Sequence, residues 1–196
     1  MSITIQPTNA VHEVAEAIRA LNTLKPIAAK RIALIEKRVT AYKAAYAAYR
    51  EGSSAHTDAA VRALLSPCAL GISGAMISRT VDRAFADFKR TSVYADLTKA
   101  KRAVTFARKT ADATEEQIGD AARMLKYRLD DIRFTLERNA AGHTMLFRGE
   151  WSARLLTEAE VSLMTAMLGD GANVIADLDG LKTSVLGAIK TTWGLV

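Results

Sequence analysis

Cysteine is all but missing from this sequence. Cys68 is the only one among 196 residues, so no disulfide can form within the chain. With no base beside it to activate the thiol, it reads as a small buried apolar side chain. Proline is nearly as rare, with only Pro7, Pro26 and Pro67, and the glycines number eleven. So little punctuation favours long regular elements. Long uncharged runs are lacking too. The longest, Ala63 to Ser78, carries Pro67, Gly71 and Gly74 and is too short for a simple membrane span. It reads as a buried helix segment, and a membrane partner is not expected. The first residues have neither the basic n-region nor the apolar stretch of a secretory signal. The expected location is cytoplasmic or within a virion or other large assembly, not one reached by a classical signal.

The absences extend to chemistry. His12, His56 and His143 stand alone in sequence, with no ligand spacing for zinc. Gly169-Asp170-Gly171 begins like a dinucleotide loop, but Val174 holds the third glycine position and no strand precedes it. Asp177-Leu178-Asp179-Gly180 places its glycine wrongly for a calcium loop and has no closing carboxylate. Asp130 and Asp131 diverge around their helix, and the pairs Lys126–Asp130 and Arg133–Glu137 read as a salt-bridged surface. No nucleophile elbow, P-loop or paired acidic site is visible. The sequence therefore predicts a non-enzymatic protein with no catalytic residue, no metal site and no cofactor.

What is abundant is helical periodicity. Ile118, Ala122, Leu125, Leu129, Ile132 and Leu136 are spaced 4, 3, 4, 3, 4, the seam of a helix packed along its length on another. Thr114 with Gln117 matches a capping box, and Gly142 suits a helix stop. The central helix is thus expected over Thr114–Asn139. Upstream, Ser66-Pro67 reads as the start of a helix reaching about Thr110, with Ala111–Ala113 as a tight connection. Its apolar face is Ile77, Val81, Phe85, Phe88, then Val93, Leu97, Ala100, Val104 and Ala107. The five-residue step from Phe88 to Val93 predicts a kink, a break or a change of packing partner around Arg90-Thr91-Ser92. The two helices, about 67–110 and 114–140, would form a long antiparallel hairpin.

The rest of the chain is assigned around that hairpin. Residues 1–7 form an extended arm whose Ile3 and Ile5 face one way. A helix capped by Thr8 or Asn9 follows, carrying Val11, Val14, Ile18 and Leu21. Pro26 opens a second one with the seam Ile32, Ile35, Val39, Tyr42, Tyr46, Tyr49. It should stop near Gly52, before a loop over Glu51–Thr57 and a short helix over Asp58–Leu65. Thr144–Arg148 is strand-capable and is the expected partner of the arm. Thr157 and Glu160 form another capping box, opening a helix to Gly169. After a turn at Asp170-Gly171, the last helix carries Val174, Leu178, Leu181, Val185, Ile189 and Trp193. The fold class is all-α: a single domain over 1–196, an elongated antiparallel bundle with β-capable segments at 2–6 and 144–148 and a helical C-terminal subregion over 152–196.

Charge is the one suggestive functional signal. Residues 1–110 hold 18 Lys/Arg against 8 Asp/Glu, and residues 111–196 hold 9 against 13. Lys30-Arg31 and Lys37-Arg38 repeat at seven residues, as do Lys101-Arg102 and Arg108-Lys109. Such stripes can follow a phosphate backbone without reading sequence, or they can be solvated faces or contacts with acidic subunits. The tyrosines could stack on bases, though at helical spacing they more often pack in a core or interface. Ile3 and Ile5 at one end, and Ile189 and Trp193 within an apolar tail at the other, are candidate assembly contacts. The preferred expectation is a structural protein, a helical coiled-coil-like subunit of a larger homo- or hetero-oligomeric particle such as a virion. The alternative is a DNA- or RNA-packaging protein using the basic stripes. The third is a membrane-active or ejected protein.

Overall fold

Three long helices, one short helix and a β-hairpin make up the computed structural model, which describes residues 7–66, 71–147 and 150–195. The elements are α1 (Pro7–Leu65), α2 (Gly74–Phe88), α3 (Ser92–Ala140), β1 (Met145–Phe147), β2 (Glu150–Arg154) and α4 (Glu158–Lys190). The architecture is an all-α helical bundle, as the periodicity requires.

Each long helix carries buried residues at seven-residue steps. On α1 these are Val14, Leu21, Ala28 and Ile35; on α3, Val104, Ala111, Ile118, Leu125 and Ile132. On α4 they are Met164, Gly171, Leu178 and Val185, and the step continues to Thr192 in the turn beyond it. A seven-residue repeat keeps one narrow face of a helix turned to its neighbours. The predicted seam from Ile118 to Ile132 is buried, and Leu136 is half-buried.

The long hairpin is not formed. Helix α3 runs unbroken through Ala111–Ala113, so Thr114 is an interior residue and not a cap. Its hydroxyl donates to the Thr110 carbonyl at 2.9 Å, which satisfies the group within its own helix and lets the methyl face the core. Thr114 is only 3% exposed. The upstream stretch is also revised. α2 starts at Gly74, capped by Ser73, whose side chain accepts from the Met76 N–H at 3.3 Å. Within the stretch expected to be a buried helix, Gly71 has φ +95°, Leu65 and Met76 are exposed, and helix resumes only at Gly74. Cys68 and Pro67 lie outside the described residues. The break foreseen near Arg90 is present, as a turn between Phe88 and Ser92 in which the Thr91 hydroxyl donates to the Phe88 carbonyl at 2.7 Å.

Three further expected breaks are absent because tertiary packing overrides local preference. Pro26 sits inside α1. Its missing N–H costs a helical bond, but Leu21, Leu24 and Ala28 around it are buried. The expected loop over Glu51–Thr57 is helical as well. Ser53 and Thr57 turn their hydroxyls onto carbonyls of the same helix, and Gly52 leaves room for the Phe88 ring, which an added Cβ would meet at 3.2 Å. In α4 the expected turn at Asp170-Gly171 is likewise helix.

The chain's contacts cluster into two compact units, 1–32 with 110–187 and 33–109 with 188–196. In the first, α3 lies antiparallel to α4: Lys182 reaches Glu115 at 3.0 Å, Lys126 reaches Asp179 at 3.4 Å, and Gly171 meets Leu129. The start of α1 is also antiparallel to α3, with Arg128 bonded to Glu13 at 3.4 Å. The end of α3 is a Schellman stop around Gly142, φ +79°, in which the His143 N–H reaches the Arg138 carbonyl and the Gly142 N–H that of Asn139. Strand β1 does occupy the predicted segment, and it pairs antiparallel with β2, with Met145 opposite Arg154 and Leu146 opposite Ala153 in the backbone register. A strand this near in sequence closes only a short loop, at little entropic cost. The arm itself, with Ile3 and Ile5, lies outside the described residues.

The capping box at the start of α4 is formed as predicted. The Thr157 N–H donates to the Glu160 carboxylate at 2.7 Å, and the Glu160 N–H points back to the Thr157 hydroxyl at 3.3 Å. Arg154 adds a two-pronged contact to the same carboxylate, 2.7 Å on each side.

In the second unit, α2 packs back on α1. The Phe88 ring lies 5.7 Å from Tyr49 and 5.8 Å from His56. Tyr49 also meets Tyr94 at the start of α3, at 6.0 Å.

Candidate interaction surfaces

The groups that could carry chemistry are spent on structure or scattered. Asp177 and Asp179 hold Lys25 and Lys126 at 3.0 and 3.4 Å, so the calcium-loop likeness ends in two ion pairs between helices. Arg133 pairs with Asp130 at 3.3 Å instead of Glu137, and Lys126 turns to Asp179 instead of Asp130. His12 pairs with Glu16 at 3.2 Å on the surface, and His143 is exposed. Among the described residues, no group of three or more His, Cys, Asp or Glu could hold a metal, and no helix is long and apolar enough to cross a membrane.

One carboxyl departs from ordinary behaviour. Glu160 is held down to about 2, chiefly by the Arg154 hydrogen bonds, against a contrary push from burial and with help from Thr157. The arrangement fixes the start of α4 and offers no open position for a substrate.

The basic stripes are placed as follows. Lys30, Lys37 and Arg38 are exposed on α1, with Arg31 half-buried. Lys101, Arg102 and Lys109 are exposed on α3, with Arg108 half-buried. Lys37, Arg38, Lys101 and Arg102 pair with no carboxylate among the described residues. The charge asymmetry persists when the chain is divided by unit. The unit 33–109 with 188–196 holds 15 Lys/Arg and 6 Asp/Glu, a net +9; the other holds 12 and 15, a net −3. The tyrosines form one stack along α1, with Tyr46 exposed and Tyr42 and Tyr49 half-buried. Tyr42, Tyr46 and Tyr49 stack on one another at 6.0 and 6.3 Å, and Tyr49 continues into Phe88 and Tyr94.

The candidate assembly contacts separate. Ile189 is buried within the folded chain, whereas Trp193 is 62% exposed. Both isoleucines of the arm are outside the described residues.

A surface that sequence reasoning missed lies on the outer side of α3, in the first unit. Met124, Tyr127 and Phe134 are 58%, 63% and 59% exposed. With Asp120, Asp131 and Arg138 they form a second stripe at spacings 4, 3, 4, 3, 4 on the same helix. The Arg138 guanidinium lies 5.6 Å from the Phe134 ring. The signal was present: the same a/d template, moved by two residues from the inner seam, fits three large apolar residues. The stronger inner seam masked it. Met124 also borders a groove of about 290 Å³ between α1 and α3, floored by Ala17, Ala20 and Ala121 and edged by Glu13, Glu16 and Arg128. Of its two carboxylates, Glu13 is held by Arg128 and Glu16 by His12.

Comparison with known protein families, curated proteins and solved structures gives no match for this chain.

Proposed function

We propose that this protein is a non-enzymatic structural subunit, built to assemble through helix faces with copies of itself or with other chains of a larger particle. The observation that carries the reading is the aligned apolar stripe Met124, Tyr127, Phe134, left outside a core that its own helix already fills. Isolated surface apolar residues are ordinary; three on one helix face at interface spacing mark a contact surface. Trp193 adds a large, low-entropy ring of the kind that anchors interfaces. Sedimentation of the parent chain from micromolar to submillimolar concentration tests the reading. Concentration-dependent association is expected, weakened by Met124→Lys with Phe134→Lys while helicity stays unchanged. A parent that remains monomeric throughout, alone and with the particle's other chains, overturns it.

A second reading has its own observation. A net +9 gathered on one compact unit, with basic side chains that no described carboxylate engages, suits a polyanion such as DNA or RNA held without sequence preference. Binding that steepens as salt falls would support it; no binding at low salt would remove it.

A further inference from the structure

Within this assembly reading, on which the inference rests, the outer stripe of α3 specifies its own partner. From its N-terminal to its C-terminal end it reads Asp120, Met124, Tyr127, Asp131, Phe134, Arg138. The order is self-complementary when reversed. Laid antiparallel on a second copy about a midpoint at residue 129, Asp120 falls opposite Arg138, Met124 opposite Phe134, and Tyr127 opposite Asp131. Twofold symmetry then repeats every one of these pairs. We propose that this face is the interface of a twofold homodimer in which two α3 helices pair antiparallel in that register.

Several features agree with a second copy as the occupant. An isologous contact requires one patch to complement itself, and this patch does so in charge and in bulk. The ends carry opposite charge, so the antiparallel arrangement joins acid to base twice, whereas a parallel one would stack Asp120 on Asp120 and Arg138 on Arg138. The two apolar pairs match a thioether to an aromatic ring, a favourable soft contact. The Tyr127 hydroxyl can donate to the Asp131 carboxylate of the second copy. Asp131 is within its own chain only loosely held, 3.8 Å from Arg128. Asp120 is exposed and paired locally with Arg123 at 3.3 Å, an i, i+3 surface pair that is easily exchanged. Arg138 lies against the Phe134 ring, which holds its charge at the end of the stripe.

The stripe spans about 27 Å at 1.5 Å per residue. That is less than an obligate interface uses, so association in the micromolar range is expected.

Charge exchange tests the register. Asp120→Arg would place arginine opposite Arg138 at both ends, and Arg138→Asp would place aspartate opposite Asp120. By sedimentation equilibrium each single variant is expected to weaken self-association about tenfold or more. The double variant, which exchanges the ends, should restore it to within a few-fold of the parent. Circular dichroism should be unchanged in all three, since both positions are off the core. If the parent associates but is indifferent to these changes, or the double variant is the weakest of all, the antiparallel pairing is wrong while assembly through another surface, such as Trp193, stands. If the parent stays monomeric by itself, the homodimer is overturned; the assembly reading falls with it only if the particle's other chains also fail to bind.

Discussion

Gly171 shows how a single residue can invert a prediction. In a helix interior, replacing glycine with alanine normally adds up to about 1 kcal/mol of stability. Here a Cβ would stand 2.5 Å from Leu129 Cδ2, inside a packed seam. Gly171→Ala is therefore expected to destabilise by about 1–3 kcal/mol, and Leu129→Ala in the same chain should recover part of that stability. Denaturant midpoints of the four variants decide it; a stabilised single variant would mean that Leu129 moves aside freely. Glu160 supplies a pH prediction. Its folded value of about 2 lies below the ordinary 4.5, so the stability it contributes is fully present above about 4.5 and is lost as pH falls toward 2. Allowing for screening at a partly exposed pair, that is about 1–2 kcal/mol. Glu160→Gln should remove this part of the acid dependence and lower the melting temperature at neutral pH, with little difference from the parent at pH 2.

At the scale of elements, the continuity of α3 through residue 114 is testable by one methyl-for-hydroxyl exchange. Were Thr114 an N-cap, Thr114→Val would cost about 1 kcal/mol. As an interior residue whose hydroxyl bonds only the Thr110 carbonyl, it should tolerate valine within about 0.5 kcal/mol in either direction. Leu125→Asp, by contrast, buries an unpaired charge in the seam and should cost about 3 kcal/mol or more; a nearly unchanged melting temperature would show that the seam is not core. Element identity was legible where the pattern was strong. The inner seam of α3, the Gly142 stop, the Thr157–Glu160 box and the break after Phe88 all follow from residues that act on their immediate neighbours. The breaks read at Pro26, Glu51–Thr57, Ala111–Ala113 and Asp170-Gly171 failed for one reason. Small and polar residues resemble turns locally, but a long helix retains them where a neighbouring side chain packs against one face, as Phe88 does at Gly52 and Leu129 at Gly171.

For the molecule as a whole, the division of charge between the two units sets the remaining prediction. Replacing Lys37, Arg38, Lys101 and Arg102 with glutamine removes four charges from the basic unit. Any polyanion binding should weaken alike for all sequences, and the salt slope should flatten by about 0.9 for each phosphate that is no longer neutralised. Filter binding against salt concentration measures both. Equal binding by the variant and the parent would assign these residues to solvation.

The sequence by itself determined the class of fold, because period and composition act residue by residue along a helix. It also determined the local caps, since a side chain that bonds a backbone group three residues away needs no tertiary partner. Only the tertiary structure decided how long the helices are, because their weak points are held by contacts far away in sequence. It alone decided which apolar residues remain outside. Ile189 and Trp193 both read as members of one apolar tail, yet one is buried and the other exposed. Met124, Tyr127 and Phe134 read as incidental until the opposite face of the same helix is seen to be full. Burial depends on where the neighbouring helices stand, and that is a property of the folded chain.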